Sequence, residues 1–335
     1  MQPLARIPLV DIRGYTPLEL LFLYRRRARQ LAEAVGKMLG SAGWRLLVPA
    51  FDRASHSWLK KSHNPYLQEM EMIAGAVGVP GSFALNTCFE WGCTSGVWAG
   101  ESGPLLRRVL DWPFPTLGEN TVVAHQSGIA GDFFNVTWPG FSGILQAMAP
   151  GRFAAALNQA PMRKHGAGLA GDWLLGRFHV GRTPALPPSH LLRRAFETAR
   201  DYAAALSTLC MTPLAVPAIY TLSGTRTGEG CVIERTEDGY SVRQIAGGKV
   251  CATNQFESPP ADAGEGWRPR PIDSRSRLQY ALAIPNRTSG FSWFTPPIAN
   301  MNSRLAMNAN AAAGTLSVLG TAGAEPVTEI FDLPA

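Results

Sequence analysis

The chain has 335 residues, of which 46% are hydrophobic and 17% charged, and its formal net charge is +6. This balance excludes a disordered chain and is typical of a globule with a sizeable core. Because no Pro-, Ser- or Gly-rich linker and no internal repeat divides the chain, we expect one domain with an N-terminal extension. No apolar run reaches the roughly 18 residues that span a bilayer, and the N-terminus lacks a secretory apolar core. We therefore expect a cytoplasmic protein without a membrane span.

The densest basic run is Arg25-Arg26-Arg27-Ala28-Arg29, and it lies on a helix predicted over residues 16–37. Thr16-Pro17-Leu18-Glu19 has the form of a capping box with Pro at the first helical position. A solvated helix face explains the run, and an acidic partner or a membrane surface is the alternative. No RNA-binding or DNA-reading motif is present, so a nucleic-acid partner is not expected.

The cysteines are odd in number, which argues against a disulfide framework in a chain of this length; they are Cys88, Cys93, Cys210, Cys231 and Cys251. The six histidines show neither HxH nor HExxH spacing. We therefore expect no metal and no cofactor.

The remaining elements are predicted from hydrophobic periodicity and turn residues. A helix is expected over 64–75, a short strand over 82–86, and a hairpin with arms 93–99 and 105–110 around a Gly100–Gly103 turn. Further strands are expected at 121–125, 153–157, 218–222, 230–234, 240–245, 249–253, 315–319 and 327–331, and further helices at 189–197, 199–208 and from 273 onward. Runs of strands with helices grouped between them predict an α+β layered fold rather than a Rossmann chain.

A nucleophilic site is indicated by Gly92-Cys93-Thr94-Ser95, followed by Arg108 and Asp111. A thiol attacks as thiolate, so it needs a base or a positive charge beside it. Cleavage of the Gly92–Cys93 bond would give Cys93 an α-amine, whose pKa of about 7.7–8.0 in peptides suits a base. In the hairpin the return arm brings Arg108 and Asp111 back toward Cys93. Residues three apart on a strand point to opposite faces, so both reach that end only if the strand ends or bends near Leu110.

Other interpretations of this spacing are a buried cysteine beside a surface ion pair, and a redox-sensing thiol pair with Cys88. Asn158 and Asn254 each follow a predicted strand, where an Asn either donates to an oxyanion or forms a turn. Arg275 and Arg277 lie at a predicted helix start and are either site residues or exposed side chains. Nearby aromatic residues either line an acyl pocket or fill the core; they are Trp91, Trp98, Trp112, Phe133, Phe134 and Trp138.

The order of these motifs resembles a known family. The segments that carry the resemblance are Ile73–Pro80, Ala84–Thr87, Gly92–Ser95, Arg108–Trp112, Ala156–Asn158, Ala252–Asn254 and Ser276-Arg277. They resemble the cysteine N-terminal-nucleophile (Ntn) hydrolases of the choloylglycine hydrolase and acid ceramidase superfamily. The sequence looks closest to the penicillin acyltransferase-like, linear amide C–N hydrolase branch. Gln159-Ala160-Pro161 after Asn158 departs from the charged residues of the ceramidase branch, and residues 1–60 match nothing in the family.

The resemblance implies an αββα sandwich of two packed antiparallel sheets. It implies residues 1–92 as a helical, propeptide-like extension and 93–335 as the catalytic region, packed together as one domain. Carried over, Cys93 is the nucleophile, and Arg108 and Asp111 hold and tune its N-terminus. Asn158 and Asn254 are candidates for the oxyanion hole and for holding the amine, and Arg277 is preferred to Arg275 as the organising arginine.

The sequence therefore predicts an amidohydrolase that cleaves a linear amide C–N bond of a small acyl amide through a Cys93 acyl-enzyme, after autoproteolysis at Gly92–Cys93. An acyltransferase with an amine acceptor and an uncleaved, non-catalytic small-molecule binder are the alternatives. The substrate and homo-oligomerisation stay open.

Overall fold

The computed structural model describes residues 4–87, 91–114, 116–264, 266–268 and 273–334, and, within a long helix, no side chains of residues 35–46. The helices are α1 (Leu18–Leu23), α2 (Arg25–Lys61), α3 (Leu67–Val77), α4 (Ser82–Asn86), α5 (Gly168–Val180), α6 (Pro188–Thr198), α7 (Tyr202–Met211) and α8 (Ser274–Ala283). The strands are β1 (Leu9–Asp11), β2 (Gly92–Trp98), β3 (Leu105–Asp111), β4 (Val122–Gly128), β5 (Gly131–Thr137), β6 (Gln146–Ala149), β7 (Phe153–Gln159), β8 (Met162–Arg163), β9 (Ala218–Ser223), β10 (Gly230–Arg235), β11 (Tyr240–Gln244), β12 (Lys249–Ala252), β13 (Trp267–Arg268), β14 (Ser303–Asn310), β15 (Thr315–Ala322), β16 (Glu325–Pro326) and β17 (Phe331–Asp332).

Two large sheets form the centre of the molecule. The eight-stranded sheet has the order β1-β4-β5-β6-β7-β9-β10-β11 and is antiparallel except where β1 runs parallel to β4. The seven-stranded sheet has the order β12-β2-β3-β14-β15-β16, with β17 also paired to β15. Strands β2 and β3 of one sheet pack against β7 and β9 of the other.

Helices cover both sheets. Helices α6 and α7 pack on the eight-stranded sheet, and α8 packs on β2 and β12 of the seven-stranded sheet. This arrangement confirms the predicted αββα sandwich. Strands buried between sheets read as nearly continuous apolar runs, as in Phe153–Gln159, where all seven residues are buried.

The predicted hairpin is confirmed as β2 and β3. Its register pairs Gly92 with Asp111 and Cys93 with Leu110. Directly paired residues of an antiparallel hairpin point to the same face. The hairpin thereby fixes which residues accompany the Cys93 side chain and which accompany Gly92.

The prediction of a strand over 82–86 is wrong, because this segment forms helix α4. The carboxylate of Asp52, on α2, accepts hydrogen bonds from the backbone N–H groups of Gly81 at 2.6 Å and Ala84 at 2.8 Å. A helix N-terminus leaves such donors unsatisfied, and here a side chain distant in sequence satisfies them. A prediction from the local sequence pattern takes no account of this contact with a distant residue.

The first helix also differs from the prediction. It breaks at Tyr24, and the second part continues as α2 to Lys61 with Pro49 inside it. The predicted capping box does not form, since the N-cap is Pro17 without a side-chain hydrogen bond. Arg25, Arg26 and Arg29 are exposed, as a solvated helix face requires.

Eight of the described elements have no counterpart in the prediction; they are β1, β5, β6, β8, α5, β13, β14 and β16. Strand β14 lies between β3 and β15, and its Leu305, Met307 and Ala309 are buried in the core. The Asn308 side chain donates to the Gly290 carbonyl at 2.9 Å and accepts from Trp293 Nε1 at 3.0 Å. Within the described part of the chain, no helix has both the length and the apolarity for crossing a bilayer.

The helices that precede Cys93 are joined to α6 by buried polar contacts. The Arg193 guanidinium bonds the Glu69 carboxylate of α3 at 2.7 and 2.9 Å, and Asn64 Nδ2 lies 2.9 Å from His190 Nδ1. Glu69 and Arg193 are both buried. A buried carboxylate is tolerated only while it is paired, so these contacts hold the N-terminal segment against the rest of the molecule.

Removal of the Arg193 charge tests this attachment. We expect Arg193→Met to lower the free energy of unfolding by about 3 kcal/mol or more, because it leaves Glu69 buried without its partner. Urea unfolding followed by tryptophan fluorescence measures the change, in a Cys93→Ala background that keeps the chain continuous. Adding Glu69→Gln should restore part of the loss, and Glu329→Gln in the exposed Arg6–Glu329 pair should change little. A loss in Arg193→Met no larger than in Glu329→Gln contradicts the attachment.

Candidate active site

The Cys93 side chain is buried between the two sheets. It is the second residue of β2, and its exposed fraction is 0%. Its Sγ lies 3.7 Å from the carbonyl oxygen of Leu157, on β7 of the opposing sheet. The thiol therefore spans the interface between the sheets rather than facing solvent.

Arg108 accompanies the thiol on this face. It pairs with Ser95 in the hairpin register, two residues along β2 from Cys93. Its Nε donates to Gln146 Oε1 at 2.6 Å and its Nη1 donates to Asn158 Oδ1 at 3.2 Å. Both acceptors are uncharged, and among the described residues no carboxylate forms an ion pair with Arg108. The guanidinium is thus fully buried with its charge uncompensated by an acid.

The pKa of the Cys93 thiol reflects these neighbours. Burial raises the pKa above its usual value, because the charged thiolate loses hydration. The positive charge of Arg108 opposes that rise, and the negative charge of Asp111 adds to it. Arg108 is accordingly the main local stabiliser of the thiolate.

Asp111 lies at the end of β3 on the opposite face of the sheet, beside Gly92. Ser303 Oγ donates to its Oδ1 at 2.7 Å, and Arg277 Nη1 lies 3.6 Å from its Oδ2. Oδ2 accepts no hydrogen bond from any described residue. The register of the neighbouring strand β14 shifts between Ser303 and Leu305, next to this strand end. Arg108 and Asp111 therefore both reach Cys93, one from each face.

Asn254 and Arg277 hold the backbone of Cys93. The Cys93 N–H donates to Asn254 Oδ1 at 2.8 Å, and Arg277 Nη2 donates to the same oxygen at 2.9 Å. Arg277 Nη1 donates to the Cys93 carbonyl and to Thr94 Oγ1. Burial lowers the pKa of Arg277, against the opposing charge of Asp111. Arg275 is exposed on the same helix, so the structure brings Arg277 to the site.

Asn158 joins the two sheets. Its Nδ2 donates to the carbonyls of Ala252 and Thr253, both at 3.2 Å, while its Oδ1 accepts from Arg108. Asn254 Nδ2 likewise donates to the backbone carbonyl of Gln159, at 2.9 Å. The structure thus collects all the predicted site residues into one buried cluster; they are Cys93, Arg108, Asp111, Asn158, Asn254 and Arg277.

Several polar residues to which the sequence analysis gave no role complete this cluster; they are Thr94, Gln146, Gln159, Ser274 and Ser303. Ser274 Oγ accepts the Asn254 N–H at 3.0 Å and donates to Thr253 Oγ1. A signal existed for Gln146 and Gln159, because each is a polar residue at the end of a buried apolar strand.

A cavity of about 400 Å³ is lined by Gln159, the residue that follows Asn158 in the chain, and by none of the six predicted site residues. Its apolar wall includes Met162, Trp173 and Val216. Its charged wall includes Glu237, which is paired with Arg163 at 3.0 Å. None of the aromatic residues considered as an acyl pocket lines this cavity, and Trp98, Trp112 and Phe133 are buried in the core.

Two further expectations concern cysteines and metals. Cys88 lies outside the described residues, so the proposed redox pair with Cys93 stays untested. Over the ranges that the structure describes, no group of three or more His, Cys, Asp or Glu side chains is placed to hold a metal ion.

Comparison with known proteins identifies relatives that are named as an acid amidase and as acid ceramidases. No known protein-family profile matches the chain. It is 26% identical over 221 residues to an N-acylethanolamine-hydrolyzing acid amidase of Cavia porcellus, covering 62% of this chain and 58% of the relative. It is 29% identical over 192 residues to an acid ceramidase of Heterocephalus glaber, covering 51% and 47%. The chain thus spans about half the length of the curated relatives it matches.

The fold has a counterpart among solved structures. The Caenorhabditis elegans N-acylethanolamine-hydrolyzing acid amidase ortholog aligns with a TM-score of 0.52 at 18% identity, covering 72% of this chain and all of that one. Gln159-Ala160-Pro161 departs from the pattern of the ceramidase branch, although one of the relatives named here is an acid ceramidase. The chain is thus similar in sequence to an acid amidase and an acid ceramidase, and similar in fold to a solved acid amidase.

Proposed function

We propose that the protein is an amidohydrolase that cleaves a linear amide C–N bond through a Cys93 acyl-enzyme, after self-cleavage at Gly92–Cys93. The observation that carries this proposal is that the thiol and the backbone nitrogen of Cys93 contact different residues. Its thiol lies beside the Arg108 cation, and its backbone nitrogen is held separately by Asn254. A residue that supplies both nucleophile and base needs these two sets of contacts.

Self-cleavage begins with attack of Cys93 Sγ on the Gly92 carbonyl carbon. The C–N bond breaks, the nitrogen takes up the thiol proton, and a thioester joins Gly92 to Sγ. Water then hydrolyses the thioester, which leaves a Gly92 carboxylate and a free thiol. The products are a fragment ending at residue 92 and a catalytic fragment beginning at Cys93, held together by the contacts of α3 with α6.

The new α-amine fits the groups around the Cys93 nitrogen. Asn254 Oδ1 already accepts a hydrogen bond from that nitrogen at 2.8 Å. Asp111 Oδ2, which accepts none from the described residues, lies beside Gly92 and would accept one from the amine. A buried carboxylate oxygen without a donor is costly, so the amine would supply a missing partner.

Amide hydrolysis then follows the same chemistry on a substrate. The α-amine takes the thiol proton, and the thiolate beside Arg108 attacks the acyl carbonyl. The amine product leaves with a proton, and water hydrolyses the acyl-enzyme. Asn158 and Asn254 are the proposed oxyanion donors. Since both bind backbone carbonyls in the uncleaved chain, this role requires one of those bonds to be exchanged after cleavage.

The substrate is a small acyl amide with an apolar acyl group. The cavity supports this choice, because it has an apolar wall and is lined by Gln159, two residues along β7 from the Leu157 carbonyl that accepts from the Cys93 thiol. The names of the relatives supply the first panel, an N-acylethanolamine and a ceramide. The cytoplasmic location stays a prediction from the sequence.

Cys93→Ala is expected to abolish both self-cleavage and amide hydrolysis, since it removes the nucleophile of both. Intact-mass measurement of the purified protein detects cleavage, and release of fatty acid from the acyl-amide panel detects hydrolysis. Cys251→Ala is the matched control, because Cys251 is a buried cysteine on the adjacent strand β12 and bonds none of the site residues. Full activity in Cys93→Ala would exclude the mechanism. A wild-type chain that stays intact and inactive would favour a binding protein.

Replacement of Arg108 is expected to shift the pH dependence of hydrolysis. The thiolate is lost as pH falls through the thiol pKa, and Arg108 keeps that pKa from rising further. In Arg108→Gln the acid limb of kcat/KM should therefore move to higher pH, measured on the cleaved fraction. Arg107→Met is the control, because Arg107 is a neighbouring buried arginine that stacks on Trp98 on the other face. Equal shifts in both variants would argue against a specific role for Arg108.

An acyltransferase differs from a hydrolase only in the second step, where an amine replaces water. With hydroxylamine or a second amine present at millimolar concentration, we expect the acid to remain the main product. Mass spectrometry of the products measures the ratio of acid to new amide. A predominance of the new amide would assign the protein as a transferase.

A further inference from the structure

We propose that Gln159 is a positioning residue for self-cleavage, which holds the chain immediately before the Gly92–Cys93 bond. This inference rests on the proposed function. The observation is a buried hydrogen bond of 2.9 Å from the Trp91 N–H to Gln159 Oε1. Trp91 directly precedes Gly92, so this bond holds the chain one residue upstream of the scissile bond.

The end of β7 contacts the chain on both sides of the scissile Gly92–Cys93 bond. Upstream, the Gln159 side chain binds Trp91. Downstream, the Leu157 carbonyl accepts from the Cys93 thiol. The backbone carbonyl of Gln159 binds Asn254, whose Oδ1 in turn holds the Cys93 nitrogen. One strand end thus sets the position of the attacking sulfur relative to the peptide that it attacks.

Self-cleavage depends strongly on this relative position. Intramolecular attack is fast only when the sulfur and the carbonyl carbon are held close and aligned. The side chain of Trp91 packs edge-on against the ring of Trp112, with ring centroids 5.4 Å apart. That contact restrains the ring, whereas Gln159 restrains the backbone at Trp91, one residue before the Gly92 carbonyl that is attacked. Loss of the Gln159 oxygen leaves a buried N–H without this acceptor and lets the segment move.

Only one of the two polar atoms of the Gln159 side chain bonds Trp91, so the hydrogen bond can be removed without changing the size of the side chain. Its Nε2 donates to no described residue, so only Oε1 is used in the uncleaved chain. Gln159→Glu keeps an acceptor oxygen in either protonation state. Gln159→Met keeps the side-chain length and removes the acceptor. The pair therefore separates the hydrogen bond from the filling of space.

The experiment follows cleavage of the full chain in cell-free translation after a chase, by denaturing gel and intact mass. We expect Gln159→Met to slow appearance of the fragment that begins at Cys93 by about tenfold, the effect of about one lost hydrogen bond. Gln159→Glu should cleave within about threefold of the wild-type rate. Gln126→Met is the matched control, because Gln126 is a buried glutamine of the same sheet, on β4, whose Oε1 bonds no described residue. It should cleave at the wild-type rate.

The outcomes separate this inference from the function it rests on. A wild-type chain that never yields a fragment ending at Gly92 overturns the proposed self-cleavage and the role of Gln159 with it. Wild-type cleavage with an unchanged rate in Gln159→Met overturns the role of Gln159 alone. Slow cleavage in Gln159→Met and Gln159→Glu alike would also overturn it, because the loss would then follow from packing rather than from the acceptor.

Discussion

The guanidinium of Arg108 is a full positive charge enclosed between two sheets, and its bonded acceptors are uncharged oxygens. Such a charge is costly to bury unless its hydrogen bonds and its charge are both matched. Gln146 and Asn158, on the opposing sheet, supply the acceptors only once the sandwich has closed. Among the described groups on this face, the Cys93 thiol can supply the missing negative charge. In the proposed mechanism, folding and activation of the Cys93 nucleophile are thereby coupled through Arg108.

The seven-stranded sheet separates two kinds of chemistry on its two faces. Between the sheets, Arg108 favours the thiolate form of Cys93. On the other face, Asp111 and Arg277 lie near the backbone around Gly92 and Cys93, together with Asn254. A strand alternates its side chains, so one short hairpin can serve a sulfur on one side and a nitrogen on the other.

The segment before Cys93 packs against the catalytic region, and the proposed self-cleavage would break its peptide bond to that region. Its helices are joined to α6 through the buried Glu69–Arg193 pair, and its last residues are held by Gln159 at the end of β7. The same glutamine borders the cavity that is the proposed substrate site. Cleavage would remove the peptide link at Cys93 while leaving the α3–α6 contacts in place, so the site can open without loss of the N-terminal helices.

The amino-acid sequence predicts the order of the reactive groups and the β2–β3 hairpin, because strand alternation and a turn with two glycines are local properties. It also indicated Asn158 and Asn254 at strand ends. The tertiary structure decided how they meet, since the Cys93 N–H and Asn254 are 161 residues apart and join only when the strands pair and the sheets pack. It decided that Ser82–Asn86 is a helix, through the distant Asp52. Gln146 and Gln159 were not predicted as site residues, because their partners are distant in sequence. Gln146 binds Arg108 on the opposing sheet, and Gln159 binds Trp91 before the scissile bond.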